Sequence, residues 1–285
     1  MKGAGAARRR RWIALAALGI VVLIAMGAWT SMEPTNDRVW KREHAVLPVV
    51  IFDGDQVEIR GIRNFSYFTA DSFSVDYYDR TYDLREISSV WFVVSVFNPN
   101  RRGLAHPFLT FGFDSGDFLT ISIEARQERG ESYSLTGGVF RRFEVIYVLG
   151  DERDVIGTRA IQRDDEVYLY PVRASREKIR MLFVDMLTAA NGIHDAPEFY
   201  NTLTNNCTTR LHDHVNKVSP ERVPHGWRIY FPGYADEVIF ERGLIDTELN
   251  LSEARDRFRI NEKARRFAES PDFSMRIREE SALHD

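Results

Sequence analysis

The order of two hydrophobic patterns constrains the fold of this chain more than any other feature. Between residues 46 and 172, apolar residues form short blocks rich in β-branched and aromatic side chains. From residue 176 onward, apolar residues recur three and four positions apart. The first pattern is typical of strands and the second of amphipathic helices. Strands followed by helices predict an α+β fold with a mainly antiparallel sheet packed with helices.

Turn residues and periodicity place the individual elements. Strands are predicted at 46–52, 57–60, 106–113, 118–124, 143–149 and 167–172, a buried central strand at 90–97, and edge strands at 65–67 and 82–84. Helices are predicted over 176–191 with Gly192 as the stop, in the segment that begins at Cys207, and over 252–269. No internal repeat or long flexible linker interrupts this order, which favours one large domain.

A basic and apolar segment precedes the domain. Residues 1–32 contain five basic residues and no acidic residue, and an apolar run of eighteen residues extends from Trp12 to Trp29. This length is near the lower limit for a membrane span, and the basic cluster predicts a cytoplasmic N-terminus. A cleaved signal peptide is the alternative, but no clear small-x-small cleavage site follows the run. We expect a single-pass inner-membrane anchor at 1–32, a stalk at 33–45, a periplasmic catalytic domain at 46–280 and a tail at 281–285.

The charge of the domain excludes one class of partner. Beyond residue 32 the chain carries 33 basic and 42 acidic residues. Nucleic-acid binding needs a basic face, so no nucleic-acid partner is expected. The same acidic balance argues against a broadly basic surface that is attracted to anionic lipid heads.

The only cysteine of the chain, Cys207, is the candidate nucleophile. It lies in Thr-Asn-Asn-Cys-Thr-Thr, residues 204–209, at the predicted start of a helix. A thiol in the first turn of a helix meets unpaired N–H groups and the positive end of the helix dipole, which both favour the thiolate. In an oxidising compartment a single cysteine cannot form an internal disulfide. The alternative is that Cys207 is a small buried apolar residue.

A cysteine nucleophile requires an imidazole base and a group that orients the base. His106 opens an otherwise apolar strand, and Glu124 ends the partner strand of the same hairpin. Pairing Phe113 with Asp117 would place His106 opposite Glu124, whereas a two-residue turn would move Glu124 to the other face of the sheet. Two simpler interpretations stay open. His106 would then be a strand-end residue half in solvent, and Arg126 would neutralise Glu124.

The other histidines are weaker candidates. His44 lies in the predicted stalk. His212 and His214 are two residues apart, so on a helix they point to different sides, and no acidic or thiol cluster joins them. We therefore expect neither a metal site nor a cofactor.

Several motifs in order resemble the bacterial family 4105 of domains of unknown function, whose signature is a histidine and an Asn-Cys-Thr motif. The matching segments are 106–113, 123–126, 130–133, 150–154, 204–209, 232–236 and 260–262. The resemblance covers roughly residues 36–280. It implies a cysteine-dependent acyltransferase similar to the Bacteroides-type enzymes that N-acylate lipoproteins. Because the histidine precedes the cysteine, the chain also resembles circularly permuted papain-like (NlpC-like) proteins, including the lecithin–retinol acyltransferase group.

The resemblance implies acyl transfer in two steps. Cys207 would take an acyl chain from a phospholipid as a thioester, and the amine of a lipoprotein or peptide would displace it. His106 would move the protons, Glu124 would orient His106, and backbone N–H groups near Thr208 with the Asn205 and Asn206 amides would bind the oxyanion. The alternatives are a thiol hydrolase of the envelope (a peptidoglycan endopeptidase or amidase, or a lipase) and a non-catalytic envelope module.

Overall fold

A computed structural model describes residues 2–219 and 222–279, and it contains one large sheet covered by helices on both faces. The strands are β1 (Val49–Asp53), β2 (Gln56–Arg63), β3 (Ser66–Thr69), β4 (Ser72–Ser74), β5 (Tyr77–Asp83), β6 (Ile87–Val96), β7 (Ala105–Phe113), β8 (Phe118–Arg126), β9 (Glu144–Gly150) and β10 (Glu166–Pro171). The main sheet has the order β1-β2-β9-β8-β7-β6-β10, and β5 also pairs with β2. All its ladders are antiparallel except a single β2–β9 pair. The predicted α+β class with a mainly antiparallel sheet is therefore confirmed.

The described helices follow the strands except at the N-terminus and in two short segments. They are α1 (Lys2–Thr30), α2 (Leu135–Val139), α3 (Arg176–Asp195), α4 (Cys207–Val218), α5 (Ala235–Glu241), α6 (Leu251–Phe258), α7 (Asn261–Arg266) and α8 (Phe273–Arg276), with a π-helix at Arg153–Gln162. Short 3₁₀ turns occupy Arg42–His44, Pro99–Arg101, Trp227–Tyr230 and Pro232–Tyr234. The π-helix was not predicted, because its apolar residues lack the usual spacing of three and four.

Side-chain alternation along the strands creates two hydrophobic clusters, one on each face of the sheet. The first cluster contains Leu109 and Phe111 of β7 together with residues of α3 and α4. The second cluster contains Phe108 of β7 together with residues of the π-helix, α7 and α8. Because burial of one large apolar side chain contributes about 1.5–3 kcal/mol, both clusters are needed to fix the sheet.

Two helix boundaries differ from the predictions. α3 continues through Gly192 to Asp195, because Ile193 is buried and the Asn36 amide donates to the last carbonyl groups of the helix. The helix predicted over 252–269 is broken into α6 and α7. At the break, Arg259 adopts an extended conformation and the backbone N–H of Ile260 donates to the carbonyl of Val167 in β10.

The N-terminal segment forms the helix α1, whose apolar side chains are largely exposed; Leu23, for example, is 69% exposed. Among the residues that the structure describes, no helix meets the length and apolarity that a membrane crossing requires. The segment predicted as a stalk packs against the sheet domain, where Trp40 and His44 are both buried. The predicted tail at 281–285 lies outside the described residues.

Candidate functional site

Cys207 is the first residue of α4, and a capping box fixes this end of the helix. The Asn206 side chain accepts hydrogen bonds from the N–H groups of Thr208 and Thr209, and the Thr209 hydroxyl accepts one from the Asn206 N–H. This reciprocal pairing satisfies helix-start donors that would otherwise be unpaired. The sequence therefore starts a helix with the thiol at its N-terminus, as expected.

The surroundings of the thiol oppose ionisation in the resting protein. Cys207 is 7% exposed, and its Sγ lies 3.7 Å from the hydroxyl of Thr208. Burial raises the pKa of the Cys207 thiol to about 11, although hydrogen bonds from Thr208 and Tyr200 act in the opposite direction. The expectation that the helix start would lower this pKa below that of free cysteine is therefore wrong, because loss of water outweighs the dipole.

The amides predicted to bind an oxyanion are used for structure. Asn206 accepts the capping bonds and donates to the carbonyl of Thr202, while Asn205 donates to the carbonyl of Phe199 and accepts from Arg210. The Thr208 N–H is already bonded to Asn206. Among the hydrogen bonds of the described residues, none uses the Cys207 N–H, so that group remains available as a donor at the helix start.

His106 and Glu124 are brought together through Ser122. The β7–β8 ladder pairs Leu109 with Ile121, so the register is the one that places His106 opposite Glu124. His106 Nε2 lies 2.7 Å from Ser122 Oγ, and the Ser122 hydroxyl donates to Glu124 Oε1 at 2.9 Å. Since Ser122 gives its only proton to the carboxylate, it accepts from His106, so Nε2 carries the hydrogen and Nδ1 is the free base nitrogen.

Arginine neutralises Glu124, but not the arginine suggested by the sequence. Arg159 of the π-helix donates to Glu124 Oε1 at 2.7 Å, and His44 Nε2 lies 3.6 Å from Oε2. Arg126 instead binds the backbone carbonyls of His44 and Ala45. Burial would raise the pKa of Glu124, but Arg159 and the two histidines hold it well below its ordinary value. Burial and Arg159 lower the pKa of His106 to about 3, so the imidazole is neutral at neutral pH.

Cys207 and His106 do not form a closed pair. Cys207 belongs to the first hydrophobic cluster, whereas His106 stacks on Phe108 of the second, with ring centroids 5.4 Å apart. No hydrogen bond between the two appears among the described residues. His106 nevertheless lies where the β7–β8 ladder has ended, because its pairs cover only 109–112 and 118–121, and α4 packs against both of these strands. The strands are unpaired with each other at this end of the sheet.

An apolar cavity of about 160 Å³ is lined by Thr208, whose hydroxyl contacts the sulfur of Cys207, but not by Cys207 itself. Thr208, the residue after Cys207, lines it together with Pro107 of β7. Its other walls come from β6, β7, α3, α4, α5 and the Trp227–Tyr230 turn, and they include Phe92, Leu109, Ile179, Leu182, Leu211, Val215, Ile229 and Ile239. A cavity with these walls suits a hydrocarbon chain rather than a polar ligand.

One cluster could hold a metal ion. A ligand atom from each of His212, Asp213 and His225 lies within 4.8 Å of the other two. The sequence reasoning missed this cluster because it compared His212 only with His214, which instead bonds Tyr147 and Asp185. It also gave no role to Arg159, His44 and Tyr200, because only the tertiary fold brings them near Glu124 or Cys207.

Comparisons with known proteins agree with a role in the cell envelope. The sequence model of the family described as the Lnb N-terminal periplasmic domain matches residues 74–233, which include His106, Glu124 and Cys207. No curated protein and no solved structure matches the chain. The family supports a periplasmic location and a relation to lipoprotein biogenesis. Because the match spans more than half of the 285 residues, the chain belongs to the family of the Lnb N-terminal periplasmic domain.

Proposed function

We propose that this protein is a membrane-anchored periplasmic acyltransferase that uses Cys207 as its nucleophile. The observation that carries the proposal is the apolar cavity lined by Thr208, the residue that follows Cys207 and whose hydroxyl lies 3.7 Å from the Cys207 sulfur. A hydrocarbon chain held in this cavity would place its ester or thioester carbonyl near Cys207. Binding of a phospholipid acyl chain is therefore the function that the geometry supports best.

The proposed reaction balances in two steps. The Cys207 sulfur attacks the ester carbonyl, His106 Nδ1 accepts the thiol proton, and the same proton passes to the leaving lipid alcohol. An amine then attacks the thioester and loses a proton to His106. The amide product is released, and His106 returns this proton to the Cys207 sulfur, which restores the thiol. The Cys207 N–H donates to the oxyanion. The expected acceptor is the N-terminal amine of a lipoprotein or another peptide.

Several features support His106 as the base. Its Nε2–H is directed to Ser122, whose hydroxyl donates to Glu124, which leaves Nδ1 as the free nitrogen, and His106 lies at the unpaired end of β7 and β8. Because Cys207 belongs to the cluster on one face of the sheet and His106 stacks on the cluster of the other face, this role requires the ends of β7 and β8 to rearrange when substrate binds and the low pKa of His106 to rise. A histidine on a strand before a cysteine at a helix start is also the chain order of permuted papain-like proteins, which supports that fold by analogy.

We further propose that α1 anchors the chain in the inner membrane with its N-terminus in the cytoplasm. The support is the basic cluster before an apolar run with tryptophan at both ends. In addition, Arg141 donates to the carbonyl of Trp29 and lies 4.3 Å from its ring, so the end of α1 contacts the domain. The apolar side chains of Phe140 and Leu203, in neighbouring segments, are 66% and 53% exposed. A surface of this kind beside the anchor would face the bilayer.

Burial of the thiol favours a second candidate, a non-catalytic envelope module. Cys207 is 7% exposed and its pKa is raised, as for a cysteine that only fills space. A thiol hydrolase would use the same residues with water as the acceptor.

The decisive experiment follows the covalent intermediate. The purified full chain in detergent is incubated with phospholipid of defined acyl length, and its intact mass is measured. We expect a hydroxylamine-labile acyl adduct that Cys207→Ser lacks, that His106→Ala forms far more slowly, and that the matched His194→Ala forms normally.

A diacylglyceryl-cysteine peptide should discharge the adduct faster than water does. Discharge to water alone would identify a lipase, whereas release of muropeptides without an adduct would identify a peptidoglycan hydrolase. If the protein forms no adduct and hydrolyses nothing, the non-catalytic module is the remaining interpretation.

A further inference from the structure

Three potential metal ligands converge beside α4, and one of them, His212, lines the apolar cavity. His212 and Asp213 lie on α4, and His225 follows in the next loop. One ligand atom from each lies within 4.8 Å of the other two, and the rings of His212 and His225 are 4.3 Å apart between centroids. His212 and Val223 both line the cavity. The helix and the loop therefore bring an acid and two imidazoles together from separate parts of the chain.

The hydrogen bonds of His212 leave one ring nitrogen directed at a carboxylate. His212 Nε2 lies 2.6 Å from the carbonyl oxygen of Val223, which can only accept, so Nε2 carries the hydrogen. In a neutral imidazole the other nitrogen, Nδ1, then has a lone pair. Nδ1 lies 3.3 Å from Asp213 Oδ1, which is also an acceptor. Either a proton on Nδ1 or a metal ion between the two atoms stabilises this pair, and the approach of His225 to the same point is the feature that only a metal ion would use.

Asn216 fixes this arrangement from one turn further along α4. Its Oδ1 accepts from the Val223 N–H at 2.7 Å, and its Nδ2 donates to the Val223 carbonyl at 3.0 Å. The loop that carries His225 is thereby tied to the helix that carries His212. An imidazole that donates one N–H to a backbone carbonyl and presents the other nitrogen to an ion is the usual arrangement around metal-bound histidines.

We propose that His212 Nδ1, the Asp213 carboxylate and His225 bind one divalent ion of the zinc type. Two imidazoles and one carboxylate are a known ligand set for zinc sites that keep a position open. With metal–ligand distances of about 2.0–2.2 Å, tetrahedral ligand atoms lie about 3.3–3.5 Å apart. Asp213 and His225 are exposed, so small side-chain rotations bring the atoms from their present separation to this one.

The place of His212 in the fold points to the chemical class of a fourth ligand. Of the three ligands, His212 lines the apolar cavity, together with Val223 of the loop that leads to His225. An anionic oxygen attached to an apolar chain, such as the phosphate of a phospholipid, would reach the ion while its chain occupies the cavity. This last step rests on the proposed function, whereas the metal site does not.

The test measures metal binding directly. The full chain is stripped with a chelator and titrated with Zn²⁺ against a chromophoric indicator, and Co²⁺ is added separately to record its visible spectrum. We expect one Zn²⁺ per chain and an intense tetrahedral Co²⁺ spectrum. Asp213→Asn and His225→Ala alter exposed side chains, so the protein stays folded, and each should weaken binding at least tenfold. The control His194→Ala should bind as the unchanged protein does.

Two results would overturn the metal site. One is the absence of stoichiometric Zn²⁺ binding. The other is an unchanged affinity in the double variant Asp213→Asn with His225→Ala, which would place the ion elsewhere. Acyl transfer by a protein that binds no Zn²⁺ would refute the metal site but not the proposed acyltransferase function. Zn²⁺ binding without acyl transfer would refute the proposed function but not the metal site. If added phosphatidylglycerol fails to alter the Co²⁺ spectrum of a binding-competent protein, the lipid-phosphate step is wrong.

Discussion

The reactivity of Cys207 follows quantitatively from its burial. The pKa of the thiol is raised from its ordinary value of 9.0 to about 11. A difference of two units lowers the thiolate fraction at any pH well below both values about 100-fold. Since the thiolate is the species that reacts with alkylating agents, the resting protein should react with iodoacetamide at least about 100-fold more slowly than a free thiol at pH 8.

The rate should also respond to pH and to the neighbours of the thiol. Between pH 8 and 10 the logarithm of the rate should rise by about one unit per pH unit, because the thiolate is still the minor form. Thr208→Val removes a hydroxyl that lowers the pKa of Cys207 and should slow the reaction further. Peptide mass spectrometry at timed intervals gives the rate, and the unfolded protein in urea supplies the free-thiol reference.

Addition of substrate distinguishes a buried filler from a nucleophile that is activated on binding. A non-hydrolysable phospholipid ether that occupies the cavity should change the rate if its binding moves His106 towards Cys207. Reaction of the unliganded protein at the free-thiol rate would refute the reasoning, because the thiol would then be hydrated or already paired with a base.

Two buried side chains elsewhere test the electrostatics and packing of the sheet. Burial raises the pKa of Glu144, beside Arg38, from 4.5 to about 7, so the folded protein binds this proton more tightly than the unfolded chain. The stabilising contribution of this proton is complete below pH 4.5 and is lost as pH rises through about 7. In urea unfolding between pH 5 and 8, the free energy of unfolding of the unchanged protein should therefore fall by about 1–3 kcal/mol relative to that of Glu144→Gln. The same pH dependence in both proteins would contradict this prediction. Phe273 is 2% exposed, so Phe273→Ala should lower the free energy of unfolding by about 3–5 kcal/mol. The control Met275→Ala, at a position 51% exposed, should lower the free energy of unfolding by less than about 1 kcal/mol in the same thermal or urea assay. Equal losses of stability in the two variants would show that Phe273 does not support the second cluster.

The sequence predicted the fold better than the site because the two depend on different information. Alternating apolar residues and turn residues are local, so the β1–β2 and β7–β8 hairpins and the start of α4 at Cys207 were predictable. The register at His106 depended on the turn length, which the sequence left open. The partner of Glu124 depended on the π-helix, since Arg159 reaches the carboxylate only through the tertiary fold.

The helix start illustrates a related limit. An Asn-Cys-Thr motif indicates a capped helix with an N-terminal thiol, and both features are present. It does not reveal that the cap uses the Asn206 oxygen, or that the surrounding core removes water from Cys207. The direction of the pKa shift is set by this desolvation, which no short motif encodes.

The second hydrophobic cluster has a consequence for the order of folding. Phe108 and Ile146 of the sheet are covered by Ile260, Phe273 and Ile277, which follow all the strands in the chain. During export these residues reach the periplasm after the strands that they cover. Until then one face of the sheet exposes apolar side chains to other chains that are also being secreted, which makes the intermediate prone to aggregation. Until the segment from residue 260 to residue 277 arrives, this face of the sheet therefore has no cover from that part of its own chain.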